Sequence, residues 1–329
     1  MATRYPTHAG SWYPSSKSKL KSDLERWLDD AHPIDQRQAD RSQSPTLPVC
    51  LPVNNCRAII APHAGYSYSG PAAAWAYKTI NPSQIKRVFV LGPSHHLYLE
   101  NCALSNCLEY QTPLGNLPID QTINLQLKST GLFSEMSLTT DQDEHSIELH
   151  LPYIRQVFKD QNITLVPILV GSISSAQELE YGNLLAPYLA NQENFFVISS
   201  DFCHWGTRFS YTYYVDPRSG DHPIRLNSSS SPQYPIYKSI ENLDRLAMEA
   251  ISLSDPKEAH QTFTTYLKQT KNTICGRHPI GVLLGCLINL ENKNSDQQLR
   301  FVRYEQSSQC LEGRDSSVSY ASAFLSFSI

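Results

Sequence analysis

Residues 87–96 read Arg-Val-Phe-Val-Leu-Gly-Pro-Ser-His-His. Val88 to Leu91 is an unbroken apolar run, too short for a helix and without a polar alternation. Such a run reads as a strand covered on both faces, the kind found in parallel sheets flanked by helices. It opens directly into a polar cluster, His95-His96. The same arrangement recurs along the chain. Arg57–Ala61 runs into Pro62-His63, and Phe195–Ser200 runs into Asp201-Phe-Cys-His204. Thr164–Val170 is a fourth strand of this type.

Helical periodicity fills the spaces between these strands. Leu20, Leu24, Trp27 and Leu28 share one face of a helix over Ser16–Ala31, with a serine cap. Further helices are expected over Gly70–Ile80, Glu144–Val157, Ser174–Ala190, Ile236–Ser252, Pro256–Thr270 and Pro279–Leu290. Phe301–Gln306 and Ser317–Phe327 read as strands, the last at a sheet edge because it alternates and is rich in serine. Strands that alternate with helices predict an α/β fold with a central, largely parallel or mixed sheet covered by helices. The 329 residues would suit about two domains at roughly 150 residues each. No linker divides the elements, however, so one domain over residues 1–329 is expected. Two loop insertions interrupt it, near 33–55 and 217–234, the second holding the serine run Ser228–Ser231.

Composition removes several function classes. Lys plus Arg is 27 and Asp plus Glu is 31, a net charge of −4, which argues against nucleic-acid binding. No window reaches the roughly 20 apolar residues of a membrane helix, and the first residues lack a signal-peptide core. A cytoplasmic protein, with the nucleus as a second compartment, is expected. None of the 8 cysteines forms a C-x-x-C pair, so free thiols are the expectation. There is no G-x-G-x-x-G, P-loop or G-x-S-x-G motif. His145-Ser-Ile-Glu148-Leu-His150 fails the zincin pattern, because histidines five apart do not share a helix face.

The chemistry concentrates at strand ends, where open α/β sheets bind ligands. If the strands are neighbours, His63, His95-His96 and Asp201…His204 meet on one rim. The segment Thr273-Ile-Cys275-Gly-Arg-His278 is a fourth polar cluster. His63 and His95 offer two imidazole nitrogens, and Asp201 or Cys275 offers a third, anionic donor. A thiolate favours iron, zinc or copper over magnesium or calcium. His204 is then free as an acid or base, since imidazole titrates near neutrality. His145 is a candidate site neighbour. Tyr66 and Tyr68 are candidate pocket-lining residues, with ordinary core packing the competing reading.

Taken together, these segments resemble the Memo family, named for a mediator of receptor-driven cell motility. The matching stretches are Ala9-Gly-Ser-Trp-Tyr13, Ala58-Ile-Ile-Ala-Pro-His63-Ala-Gly-Tyr66, Leu91-Gly-Pro-Ser-His95-His96, Glu144-His-Ser-Ile-Glu148, Ser199-Ser-Asp201-Phe-Cys-His204-Trp-Gly206, Asn272-Thr-Ile-Cys275-Gly-Arg-His278-Pro-Ile280 and Gln306-Ser-Ser-Gln-Cys310. The resemblance implies a fold like the protocatechuate-type extradiol dioxygenases, which hold Fe(II) with two histidines and a glutamate and use a further histidine as base. Carried across, it makes His63 and His95 metal ligands and His204 the base. Cys275 takes the place of the carboxylate. It implies iron or copper at one mononuclear site, redox activity, and phosphotyrosine-bearing or cytoskeletal signalling partners.

Three functions are thereby expected to compete. One is a metal-binding redox protein acting in signalling or motility. The second is an active extradiol-type dioxygenase. The third is a metal-free scaffold that binds phosphotyrosine peptides in the old cleft.

Overall fold

In a computed structural model, which describes residues 2–32, 50–219, 222–290 and 297–327, the four apolar runs lie side by side. The strands of the main sheet are β1 (Cys56–Ala61), β2 (Arg87–Pro93), β3 (Cys102–Leu104), β4 (Phe133–Glu135), β5 (Thr164–Val170), β6 (Asn194–Ser199), β7 (His204–Trp205), β8 (Gln297–Gln306) and β9 (Ser317–Phe327). Their spatial order is β7-β9-β1-β6-β2-β5-β3-β4, and β8 also pairs with β9. The central four, β1, β6, β2 and β5, are mutually parallel. β9 and β3 flank them antiparallel, so the sheet is mixed.

Side chains of a strand alternate between faces, and the core divides accordingly. Ala58 and Ile60 of β1 pack with Phe89 and Leu91 of β2 in one core, while Ile59, Ala61, Val88 and Val90 belong to the other. The α-helices are α1 (Lys17–Asp30), α2 (Tyr66–Tyr77), α3 (His145–Glu148), α4 (Leu151–Val157), α5 (Ser175–Ala190), α6 (Ile236–Ile251), α7 (Pro256–Thr270) and α8 (Arg277–Ile288), together with two short unnumbered ones, Gln121–Ser129 and Leu138–Asp143. Helices α5 to α8 cover the first face, and α1, α2 and α4 cover the second. This is a single-domain α/β fold with helices on both sides of the sheet. No helix among the described residues is long and apolar enough to cross a membrane.

The structure corrects three sequence expectations. The Ser-rich strand β9 is interior, paired with β1 on one side and β8 on the other. Its serines are satisfied inside the protein: Ser322 Oγ donates to the Ala72 carbonyl at 2.7 Å, and Ser319 Oγ accepts from Tyr304 at 3.1 Å. The helix expected over Glu144–Val157 is two short helices, α3 and α4, with Leu149 and His150 between them. Helix α2 begins at Tyr66, four residues before the expected start, and carries Pro71 internally. Of the first insertion, residues 33–49 lie outside the described residues. Of the second, residues 220 and 221 do, and Ile224–Arg225 forms a short ladder with Tyr213–Tyr214.

Helices α5 and α8 cross at glycines. A Cβ on Gly182 would sit 2.4 Å from the Gly285 carbonyl carbon, a backbone atom that no rotamer change can move aside. This contact fixes α8, whose first turn follows Cys275. We expect Gly182→Ala to lose about 1–3 kcal/mol of stability, the usual cost of overpacking. Urea denaturation would show it as a lowered midpoint, and a midpoint equal to wild type would contradict the close-crossing account.

Candidate metal centre

The parallel pairing puts three strand ends beside one another. Ala61 lies opposite Ser199, and Leu91 opposite Ile198. His63 therefore leaves β1 next to Asp201 leaving β6, with His95 leaving β2 on the far side of β6. The ring centroids of His63 and His95 are 5.2 Å apart. His145, at the start of α3, stacks on His95 at 4.4 Å and 20°. One nitrogen each from His63, His95 and His145 falls within 4.8 Å of the other two.

Hydrogen bonds fix which nitrogen faces the rim. The Ser199 hydroxyl donates to the Ser146 carbonyl at 2.7 Å, so its oxygen is left to accept from His63 Nδ1 at 2.5 Å. That assigns the proton of neutral His63 to Nδ1 and leaves a lone pair on Nε2. Nε2 lies 3.3 Å from Cys275 Sγ. His95 is oriented by Glu144, which accepts from its backbone N–H at 2.7 Å and from Nδ1 at 2.9 Å. His95 Nε2 is thus the nitrogen left for the rim. A carboxylate or hydroxyl behind each ring is how metal-binding histidines are usually held.

Protonation follows from these surroundings. Burial, reinforced by the neighbouring histidines, holds His63 well below the ordinary imidazole value. Burial and the facing His95 bring His145 down to about 3. Burial would also depress His95, but the Cys275 thiol and Glu144 outweigh it and raise His95 to about 10. Burial would raise Glu144, but its bonds to His95 bring it down to about 2. Burial pushes the Cys275 thiol upward, against the pull of His95.

The other expected residues occupy distinct places. Cys275 reaches the rim because Gly276 lies against β6, where a Cβ would meet the Ser199 carbonyl at 2.3 Å. The Asp201 N–H donates to Cys275 Sγ at 3.2 Å. The buried Asp201 carboxylate accepts the backbone N–H groups of His63 at 2.9 Å and Ala64 at 3.3 Å, so it shapes the turn that carries His63. His204 donates Nδ1–H to the Thr273 carbonyl at 3.0 Å, leaving Nε2 as its basic nitrogen. Tyr66 packs among Tyr13, Trp27 and Tyr153, with its hydroxyl donating to the Leu149 carbonyl at 2.6 Å. It lines a neighbouring cavity of about 610 Å³ rather than the histidine rim.

Sequence reading missed the supports. Glu144, Ser199, Ser146 and Thr273 were assigned no role, although every candidate ligand histidine calls for such a partner. It assigns Arg4 no role and reads Glu148 as structural, which the ion network bears out. Arg4, fully buried, pairs with Asp141 at 3.1 Å and Glu148 at 2.7 Å, and donates to the Glu144 carbonyl at 3.0 Å. The Glu148 carboxylate also accepts from the Tyr13 hydroxyl at 2.7 Å and the His8 backbone N–H at 2.9 Å. The N-terminal segment, from Arg4 to Tyr13, thereby clamps the segment that carries Glu144 and His145.

The sequence is similar to those of known proteins along almost its whole length. The family model described as "Memo-like protein" matches residues 4–324. Protein MEMO1 of Xenopus tropicalis is 48% identical over 324 residues, covering 98% of this chain and 97% of that one. Protein MEMO1 of Homo sapiens is 47% identical with the same coverage. Protein memo-1 homolog of Caenorhabditis elegans is 41% identical, covering 98% of this chain and 82% of its own length. Among solved structures, the uncharacterized protein JW3007 from Escherichia coli K12 superimposes with a TM-score of 0.46 at 15% identity, over 81% of this chain and 99% of that one.

The His95–Glu144 pair makes stability depend on pH. His95, raised from 6.5 to about 10, contributes stability that is full below its unfolded value and is lost as pH climbs toward 10. Glu144, lowered from 4.5 to about 2, contributes above its unfolded value and loses that contribution as pH falls through 2. In chelator-treated protein the urea midpoint should fall between about pH 6.5 and 10. Glu144→Gln should flatten that fall, and equal slopes for both proteins would refute the pairing.

Proposed function

The chain belongs to the Memo family, and from that premise we propose that it is a metal-binding redox protein, holding iron or copper, that acts in cell signalling or motility. One observation carries the reading: His63 and His95 each spend Nδ1 on a fixed partner, so both Nε2 atoms are left for the rim that Cys275 Sγ also reaches. Two imidazoles and a thiolate suit iron or copper far better than magnesium or calcium. His63, His95 and Cys275 would hold the ion, with His145 beside them. Bound there, iron or copper supplies one-electron chemistry.

The chain's own groups prepare that site. Glu144 and Ser199 keep the two rings from rotating, so the donors need no reorganisation. Asp201 fixes the backbone of His63 and donates its N–H to Cys275 Sγ, which favours the thiolate. Cys275 and His95 Nε2 would each give up a proton to hold an ion, so uptake would release protons and strengthen as pH rises. His204 Nε2 is the group that would accept a proton from a bound ligand.

Protein purified without a metal-affinity column should carry about one equivalent of iron or copper by elemental analysis, as a single closed ligand set implies. The double variant His63→Ala/Cys275→Ser should lose it, and His145→Ala should keep most of it. Unchanged metal in the double variant would overturn the ligand assignment. Loss in His145→Ala with retention in Cys275→Ser would move the third ligand to His145.

The free Nε2 of His204 favours a second reading, an extradiol-type dioxygenase, because ring cleavage needs a base there. Anaerobic reconstitution with Fe(II), followed by oxygen and a catechol panel, tests it. We expect no ring-opened product, since a thiolate stands where such enzymes carry a carboxylate. A product that depends on His204 would reverse that conclusion.

A further inference from the structure

A line of stacked rings runs from the histidine rim to the protein surface. His145 stacks on His95 at 4.4 Å and 20°, and Trp12 lies on His145 at 4.4 Å and 33°. Trp12 is 36% exposed. Among the described residues it is the one indole or phenol ring in contact with His63, His95 or His145; their other ring contacts are histidines. Tyr66, Tyr77 and Tyr153 form a separate stack that meets none of the three.

Trp12 is also held in place. Its backbone N–H donates to the His8 carbonyl at 2.9 Å, and its carbonyl accepts from the Tyr66 backbone N–H at 2.9 Å. The turn before it needs Gly10 at φ +92°, a conformation that side chains resist. A tryptophan fixed at both backbone groups, with one face on an imidazole and an edge in solvent, is more ordered than surface burial requires.

We propose that Trp12 is the electron port of the metal centre: single electrons pass between the centre and an outer-sphere one-electron carrier through His95, His145 and Trp12. This deepens the redox reading above and rests on it. Electronic coupling falls steeply across empty gaps; His95 is itself exposed, and the stacked rings add a conducted route from it to an indole that a carrier can cover. Imidazole is hard to oxidise and serves as a bridge, whereas indole is oxidised far more readily. In the outward step one electron leaves the reduced ion, the ion rises by one oxidation state, and the carrier is reduced by one electron. No covalent bond forms or breaks, and Trp12 ends with its N–H intact. Trp12 therefore governs the rate of exchange without being a ligand.

The full chain is loaded with copper, reduced with ascorbate under argon, and mixed with ferricyanide in a stopped-flow instrument. Loss of ferricyanide absorbance gives the exchange rate, and elemental analysis gives copper content for each protein. Trp12→Leu should keep its copper and exchange about tenfold more slowly, equivalent to ~1.4 kcal/mol of added barrier. Trp12→Phe, which retains an aromatic ring on His145, should also be slow, which separates electron passage from packing. Trp75→Phe, away from the rim, should match wild type. As an independent readout, Cu(II) should quench indole fluorescence in wild type, and that quenched component should be missing in Trp12→Phe. Copper-loaded Trp12 variants that exchange at the wild-type rate would overturn the port. If Trp12→Leu loses copper, Trp12→Phe decides. A wild-type chain that takes up no copper refutes the metal reading itself, and the port falls with it.

Discussion

Ala61 pairs with Ser199 and Leu91 with Ile198, so β1, β6 and β2 must release their next residues at one rim of the sheet. Everything chemical in this protein depends on that register. Within a strand, a slip of one residue would turn every side chain to the opposite face. The strands are buried on both faces, so the slip is barred by two cores at once. The same register sets Ser199, the last residue of β6, beneath the His63 ring. It also gives Gly276 a surface to lie on, which brings Cys275 in from a segment more than 200 residues away in sequence.

The rim needs a second constraint, because Glu144 and His145, like Cys275, come from outside the sheet. Glu144 and His145 sit at the break before α3, on a short segment with little helical stability of its own. Arg4 supplies the restraint. Its guanidinium is buried between Asp141 and Glu148, and it also holds the Glu144 carbonyl. A buried ion network is a poor source of net stability, since desolvation offsets much of the attraction. Its value lies in geometry: removing one partner would leave a buried charge unpaired, so few alternative arrangements compete with the observed one. Glu148 extends that hold to His8 and Tyr13, and the intervening turn delivers Trp12 onto His145.

The fold was largely legible because its signals are local. Apolar runs at 57–61, 87–92, 164–170 and 195–200 mark strands, and Leu20, Leu24 and Trp27 mark a helix face. Where the local signal misled, a distant partner was responsible. The serines of β9 read as a wet face, yet Ser322 meets the Ala72 carbonyl of α2 and Ser319 meets Tyr304. Glu144 to Val157 has a helical pattern, but it is interrupted at Leu149 and His150, where the Tyr66 hydroxyl takes the Leu149 carbonyl and Tyr77 pairs with the His150 ring. The strand-end histidines stood out in the sequence, and the topology brings His63 and His95 together. Their supports did not stand out. Ser199 and Ser146 are 53 residues apart, and Glu144 lies 49 from His95. Nothing short of the tertiary fold pairs them.

The protons on the rim sort its donors before any ion arrives. His63 is buried with its Nδ1–H engaged, so it is neutral and its Nε2 lone pair faces Cys275 Sγ. His95 is the opposite case: Glu144 and Cys275 raise its affinity for a proton, which the ion must displace. Cys275 presents a thiol that burial keeps protonated, with the Asp201 N–H poised to favour the thiolate. One donor is free and two are protected by protons. On the proposed metal-binding reading, such donors would discriminate against weakly binding hard cations, which would gain too little from these ligands to displace two protons. A carboxylate in place of Cys275 would remove one of those protons at neutral pH and admit harder ions. On that reading the thiol would do more than change the chemistry of a bound ion: it would set which ions are worth binding at all.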